Sequence, residues 1–293
     1  MTGLAFSAVE VLQLVAKILA YAGSLGAVGA LAFIEAFRDL LRDGDLPPLH
    51  LYAAVLLLAG LLASLLMLFG TVAMLNGLGL IGGFDWELWG LIAKTPAGDS
   101  VWIRVAGLLV LLAGLLSVRL RRLAVVLGGL CVAASFGLVG HVQDEPQSLL
   151  LQGLLVLHLL GVGLWIGSLW PLLSLARVGE QPRVARIMAR FGRLAVVFVG
   201  TLLAAGVALA WLLLEDIGHL AATPYGRLLL IKIGLVTLLL GLAALNKLRL
   251  VPALAAGERS ASLRLRRSIR LEITMVLLIL TATGLLTTAF SPS

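Results

Sequence analysis

Eight long apolar runs, each sufficient to cross a hydrocarbon core of roughly 30 Å, constrain this chain more than any other feature. They fall near residues 7–37, 49–77, 101–118, 123–141, 148–176, 194–214, 227–246 and 271–290, with short polar connections between them. Leucine, alanine, valine and glycine fill the runs without the two-residue alternation of an outer-membrane barrel, so helices are predicted. With 61% hydrophobic residues, 13% charged residues and a mean hydropathy of +1.10, the chain could not cover itself with a water-facing surface. The expected fold is all-α, a polytopic membrane protein with eight transmembrane helices.

Basic residues orient the bundle, because Lys and Arg accumulate on the side that is not translocated. Arg38 and Arg42 follow the first run, Arg119, Arg121 and Arg122 the third, Arg177, Arg183, Arg186, Arg190 and Arg193 the fifth, and Lys247, Arg249, Arg259, Arg264, Arg266, Arg267 and Arg270 the seventh. The opposite loops hold Asp85, Glu87, Asp99, Asp144, Glu145, Glu215 and Asp216. This asymmetry predicts cytoplasmic arginine-rich loops and both termini on the periplasmic side. A net charge of +7 implies contact with anionic membrane lipids, and no nucleic-acid motif accompanies the arginines. Residues 1–10 lack the basic region of a cleaved signal peptide, so the first span is expected to be retained. Cys131 is the single cysteine, which rules out an intrachain disulfide.

A repeat divides the runs into two sets of four. Thr95-Pro96-Ala97-Gly98 is followed six residues after its glycine by Arg104, and Thr223-Pro224-Tyr225-Gly226 six after its glycine by Lys232. Each copy opens the third helix of a half, and an even number of spans per half gives both the same orientation. Two four-helix repeats are expected, residues 1–147 and 148–293, about an axis along the membrane normal. Proline in the first turn and a threonine cap explain the TPxG alone, but not the matched cation. Arg104 and Lys232 are expected to reach outward to the interface or to shape its field. Small residues four apart, Ala22, Gly26 and Ala30 in the first run and Gly163 with Gly167 in the fifth, predict close helix crossings.

The fifth run carries HLLGVGLWIGSLWPLL from His158, and RFGRLAVV, TPYGRLLLIKIGL, ALNKLRLVP and a final SP follow. Together these segments, from Leu157 to Pro292, resemble the copper resistance protein D family; the resemblance is weaker in the first half. It implies a helical bundle of the bacterial inner (plasma) membrane that passes copper toward the cytoplasm, with copper ion as cargo and a periplasmic copper-binding protein as partner. Copper(I) favours thioether and thiolate sulfur and imidazole nitrogen, so the inventory is short. His158 lies about ten residues, roughly 15 Å, inside the fifth span. Cys131 and Met67 sit at similar depth in the fourth and second, while His141 and Met74 lie toward the outer mouth. The expected metal residues are His158, His141, Met67, Met74 and Cys131, a relay from mouth to midplane. Each has a plain reading beside this one: methionine and cysteine fill apolar helices, and an interfacial histidine is solvated.

His50 begins the second span on the cytoplasmic side, and His219 lies beyond the outer interface beside Glu215 and Asp216. Trp86, Trp89, Trp102 and Phe84 form an outer aromatic cluster, read as an interfacial belt or re-entrant cap, or as a docking surface for a donor. Glu35, Asn246 and Glu272 mark inner helix ends, either as boundary polarity or as an inward exit. There is no Walker A glycine-lysine motif, no aspartyl-phosphate signature and no paired cysteines, so an enzyme or ATP-driven pump is not expected. An inward cation gains about 2.3 kcal/mol per charge per 100 mV, enough to drive uptake without nucleotide. Two alternatives stay open: a b-type haem electron carrier using His158 with Met67, and a scaffold that receives copper without transporting it.

Overall fold

The computed structural model describes residues 7–139, 148–213, 223–258 and 260–288. Among them eight helices are long and apolar enough to cross a membrane, and no strand occurs. We label these α1 (Ala8–Ala36), α2 (Asp43–Asn76), α3 (Pro96–Leu116), α4 (Arg121–Leu138), α5 (Ser148–Val178), α6 (Gln181–Leu212), α7 (Gly226–Ala255) and α8 (Ala261–Thr287). The eight expected spans are all present. Two begin well before their apolar runs, α6 at Gln181 rather than 194 and α8 at Ala261 rather than 271, because arginine-rich turns are good helix formers that stay wet by extending their side chains.

Local chemistry sets the ends. Ser7 and Glu10 form a reciprocal capping box at α1. The Thr223 hydroxyl accepts from the Gly226 amide at 3.0 Å, and Pro224 occupies a first-turn position where no amide partner is needed. Two helices are interrupted by single π-helical turns, α1 at Tyr21–Leu25 and α7 at Asn246–Leu250.

At the centre α1 packs against α5, and small residues let their backbones touch. A methyl on Gly163 would lie 2.8 Å from the Leu25 carbonyl, and one on Gly29 or Gly167 would strike the backbone of the opposing helix. Within the first half α1 meets α2, α2 meets α3, α3 meets α4 and α4 returns to α1. Within the second, α5 meets α6 and α8, α7 meets α8, and α6 meets the last turns of α7. Between halves α4 also touches α5 and α1 touches α8.

On the arginine-rich side, three ion pairs join residues 39–45, from the α1–α2 connection to the first turn of α2, to residues 180–190 at and just before the start of α6: Asp39 with Arg190 at 2.7 Å, Arg42 with Glu180 at 2.8 Å, and Asp45 with Arg183. The last pair is enclosed, with side chains 10% and 9% exposed. Arg42, through its two hydrogen bonds, holds the Glu180 carboxyl below the usual carboxylate range. On the opposite side a 3-10 turn (Gly79–Phe84) and a short helix (Trp86–Ile92) fold back over the end of α2. Trp89 donates to the Gly83 carbonyl at 2.7 Å, Asn76 donates to Asp85 at 2.9 Å, and Phe84 meets the Phe69 ring edge-on at 5.2 Å. Of the aromatic cluster, Trp89 and Phe84 are tied to this turn and to the end of α2, while Trp86 stays 77% exposed.

Candidate functional site

His158 is half-buried on α5, facing α6. Its Nδ1 lies 3.1 Å from the Leu202 carbonyl oxygen. A carbonyl can only accept, so Nδ1 carries the proton and the lone pair of the neutral ring sits on Nε2, the arrangement in which imidazoles bind metals. Glycine makes the room: a methyl on Gly206 would stand 3.1 Å from Nδ1, and one on Gly161 would stand 2.8 Å from Leu202 Cβ.

Met67 belongs to a different arrangement in the first half. Its sulfur lies 3.5 Å from Arg104 Nη1, and its carbonyl accepts from Gln13 Nε2 at 3.3 Å. Arg104 is 1% exposed. It donates to the hydroxyls of Ser135 at 3.0 Å and Ser100 at 2.9 Å, and its guanidinium stacks 3.9 Å above Phe136, whose other neighbour is Tyr21 at 4.5 Å. The expected outward reach of Arg104 is not what forms. The helix ends of α3 and α4 supply hydroxyls inside the bundle, and the fork satisfies its donors there.

The other expected ligands are dispersed. Cys131, half-buried on α4, faces Gly107 of α3, and Met74, near the outer end of α2, is 50% exposed. His141 and His219 lie outside the described residues. His50 accepts from Arg121 Nη2 at 3.3 Å. Among the described residues no three His, Cys, Asp or Glu side chains converge on one point. The methionine that a haem pairing with His158 would use has its sulfur against a guanidinium.

Seven residues after His158, two helical turns along the same face of α5, Trp165 Nε1 donates to Glu272 Oε2 at 3.5 Å. Asn246 donates to the other carboxylate oxygen, and Glu272 is 5% exposed. These groups border a cavity of about 450 Å³ between α5, α6, α7 and α8, which Met188 also lines. Sequence reading did not find Gly206, Gln13, Ser100, Ser135 or Met188. The spacing of Gly163 and Gly167 was visible, but nothing in one sequence pairs Gly206 with a histidine on the preceding span.

Residues 8–148 match the family model described as copper resistance protein D-like, N-terminal domain, and residues 185–286 match the model described as copper resistance protein D. The copper transport protein CutJ of Bacillus subtilis (strain 168) is 30% identical over 168 residues, 51% of this chain and 30% of that protein. The chain thus spans under a third of the length of this curated relative. No solved structure matches.

Proposed function

We propose that this chain, which belongs to the copper resistance protein D family, carries copper ions across the bacterial inner membrane from the periplasm toward the cytoplasm. His158 is the central ligand. The observation that carries this reading is the tie between Nδ1 and the Leu202 carbonyl, which leaves Nε2 as a free donor inside a membrane span. Imidazoles buried in spans face partners or pathways, and copper is the cargo that the family and the CutJ likeness support.

In this reading His141 and Met74 gather the ion at the outer face, where a periplasmic copper-binding protein would deliver it. Cys131 and Met67 stand as supporting sulfurs. The latter contributes only where Arg104 withdraws, since a guanidinium repels a cation. The termini are periplasmic and the arginine-rich connections cytoplasmic. The chain acts as a transporter rather than an enzyme.

Copper accumulation in cells expressing the protein tests this. Cells with the wild type should gain several-fold more copper than cells with His158→Ala at equal expression. Equal accumulation removes His158 from the path, and no gain with either chain favours the receiving scaffold. Stoichiometric haem absorbance in the purified protein would overturn the copper reading altogether.

A further inference from the structure

Glu272 stands enclosed in α8 with two neutral donors, Trp165 Nε1 and Asn246 Nδ2, and no cation pairs with it among the described residues. A carboxylate so placed in a membrane span is costly unless a positive charge or a proton joins it. The side chain opposite it can serve both states. Asn246 Nδ2 donates to Glu272 Oε1 while Asn246 Oδ1, equally buried, has no partner. Rotating the amide by half a turn would present that oxygen to a Glu272 hydroxyl, so one residue can hydrogen-bond to both forms of the acid, more strongly to the ionised one.

The surroundings fit a site that exchanges with the cytoplasmic side. Asn246 opens the π-helical turn of α7, a distortion that recurs where helices carry function. The cavity of about 450 Å³ reaches Glu272 and Asn246 together. One turn before Glu272 on the same face of α8, the buried Ser268 hydroxyl also lacks a partner and lies on the way to the arginine-rich end. The charged and titratable groups around it are few. Lys247 of α7 lines the cavity, while the lining residues from α5 and α6, Trp165, Leu169, Leu172, Met188 and Phe191 among them, are uncharged. On α1, Tyr21 stacks on Phe136 and Lys17 donates to the Thr287 carbonyl at the far end of α8. On α8 itself Arg270 is exposed and the Arg266 Nε is buried without a partner.

We propose that Glu272, held by Trp165 and switched by Asn246, is a proton-binding site in the inner half of the bundle, whose protonation alternates with the passage of a cation through the half that holds His158. The site rests on geometry; its coupling to copper rests on the transport reading above. The proton comes from and returns to water through the cavity, with no other bond made or broken.

Infrared difference spectroscopy of the purified protein in lipid discs, between about pH 5 and 9 and without copper, tests the site itself. The wild type should show a protonated-carboxyl band that Glu272→Gln loses and the ion-paired Glu35→Gln keeps. Asn246→Leu, which removes a hydrogen bond from the carboxylate, should move the band's midpoint upward by about one pH unit. Identical spectra for the wild type and Glu272→Gln overturn the proposal, and an unmoved midpoint in Asn246→Leu overturns the switch. In vesicles holding a pH dye, copper uptake by the wild type should change the internal pH, and uptake by Glu272→Gln should not. A titrating band in a protein that takes up no copper would sink the transport reading and leave the proton site standing. Uptake with no accompanying pH change would sink the coupling.

Discussion

At the residue scale, His158 and Arg104 both carry polar groups into the bundle, and each is set by neighbours far along the chain. His158 keeps its tautomer only while its ring has room beside Gly206 to reach Leu202. Gly206→Ala places a methyl 3.1 Å from Nδ1, so copper uptake should fall several-fold while the folded yield, read by size-exclusion chromatography, stays near that of the wild type. Arg104 is the harder case. A lysine in its place supplies a point charge that cannot reach Ser100, Ser135 and the Phe136 face together. Arg104→Lys should therefore lower stability in detergent by about 2 kcal/mol, read as a drop in melting temperature, although it conserves charge. Position 104 was visible in the sequence through its match with Lys232. Its environment was not, because Ser135 lies on the next helix and Met67 on the previous one, and only packing brings them to one guanidinium.

At the element scale the helices were readable and their interruptions were not. Long apolar runs and the two TPxG starts each announce a helix by local chemistry alone, although only Thr223 caps with its side chain, the Thr95 hydroxyl donating back to the Ile92 carbonyl. The π turns at Tyr21 and Asn246 have no such local signal, since an extra residue in a turn is stabilised by what the displaced side chain meets across the bundle. The early starts of α6 and α8 escaped because apolar runs mark the lipid boundary, and helices continue past it. Small residues at spacing four did announce the α1–α5 crossing. A methyl on Gly29 would meet the Gly163 carbonyl directly, whereas one on Gly153 of the same bundle would meet nothing within 4 Å. Gly29→Ala should reduce the monodisperse yield and the melting temperature sharply, by about 2 kcal/mol or more in stability, while Gly153→Ala leaves both unchanged.

At the scale of the whole molecule, we read residues 1–147 and 148–293 as two four-helix repeats about an axis along the membrane normal. In support, Tyr21 stands five residues before Gly26 and His158 five before Gly163, and Arg104 and Lys232 each stand six residues after the glycine of a TPxG start. Exchange of the halves also turns the α4–α5 contact into the contact of α8 with α1, and both occur. On this reading a copy that kept an imidazole handles the ion and a copy that kept a phenol supports it. A reporter fused after Ser293 should behave as periplasmic; cytoplasmic activity would refute the orientation. The ion pairs across the halves differ in weight. Arg183→Ala leaves Asp45 enclosed without its partner and should cost about 3 kcal/mol, read by thermal denaturation, whereas the exposed Arg42 can be replaced with little change.

The two halves are thus riveted backbone to backbone at mid-height and latched by charge along one rim. Among the described residues no ion pair spans the halves toward the other rim, where Lys17 of α1 donates to the Thr287 carbonyl of α8 at 2.9 Å. The latched rim is open to electrolyte at its two exposed pairs, because such pairs are screened within about 8 Å at physiological ionic strength. Rising salt, or anionic headgroups competing for Arg42 and Arg190, should therefore weaken the exposed pairs of this rim before the enclosed Asp45–Arg183 pair.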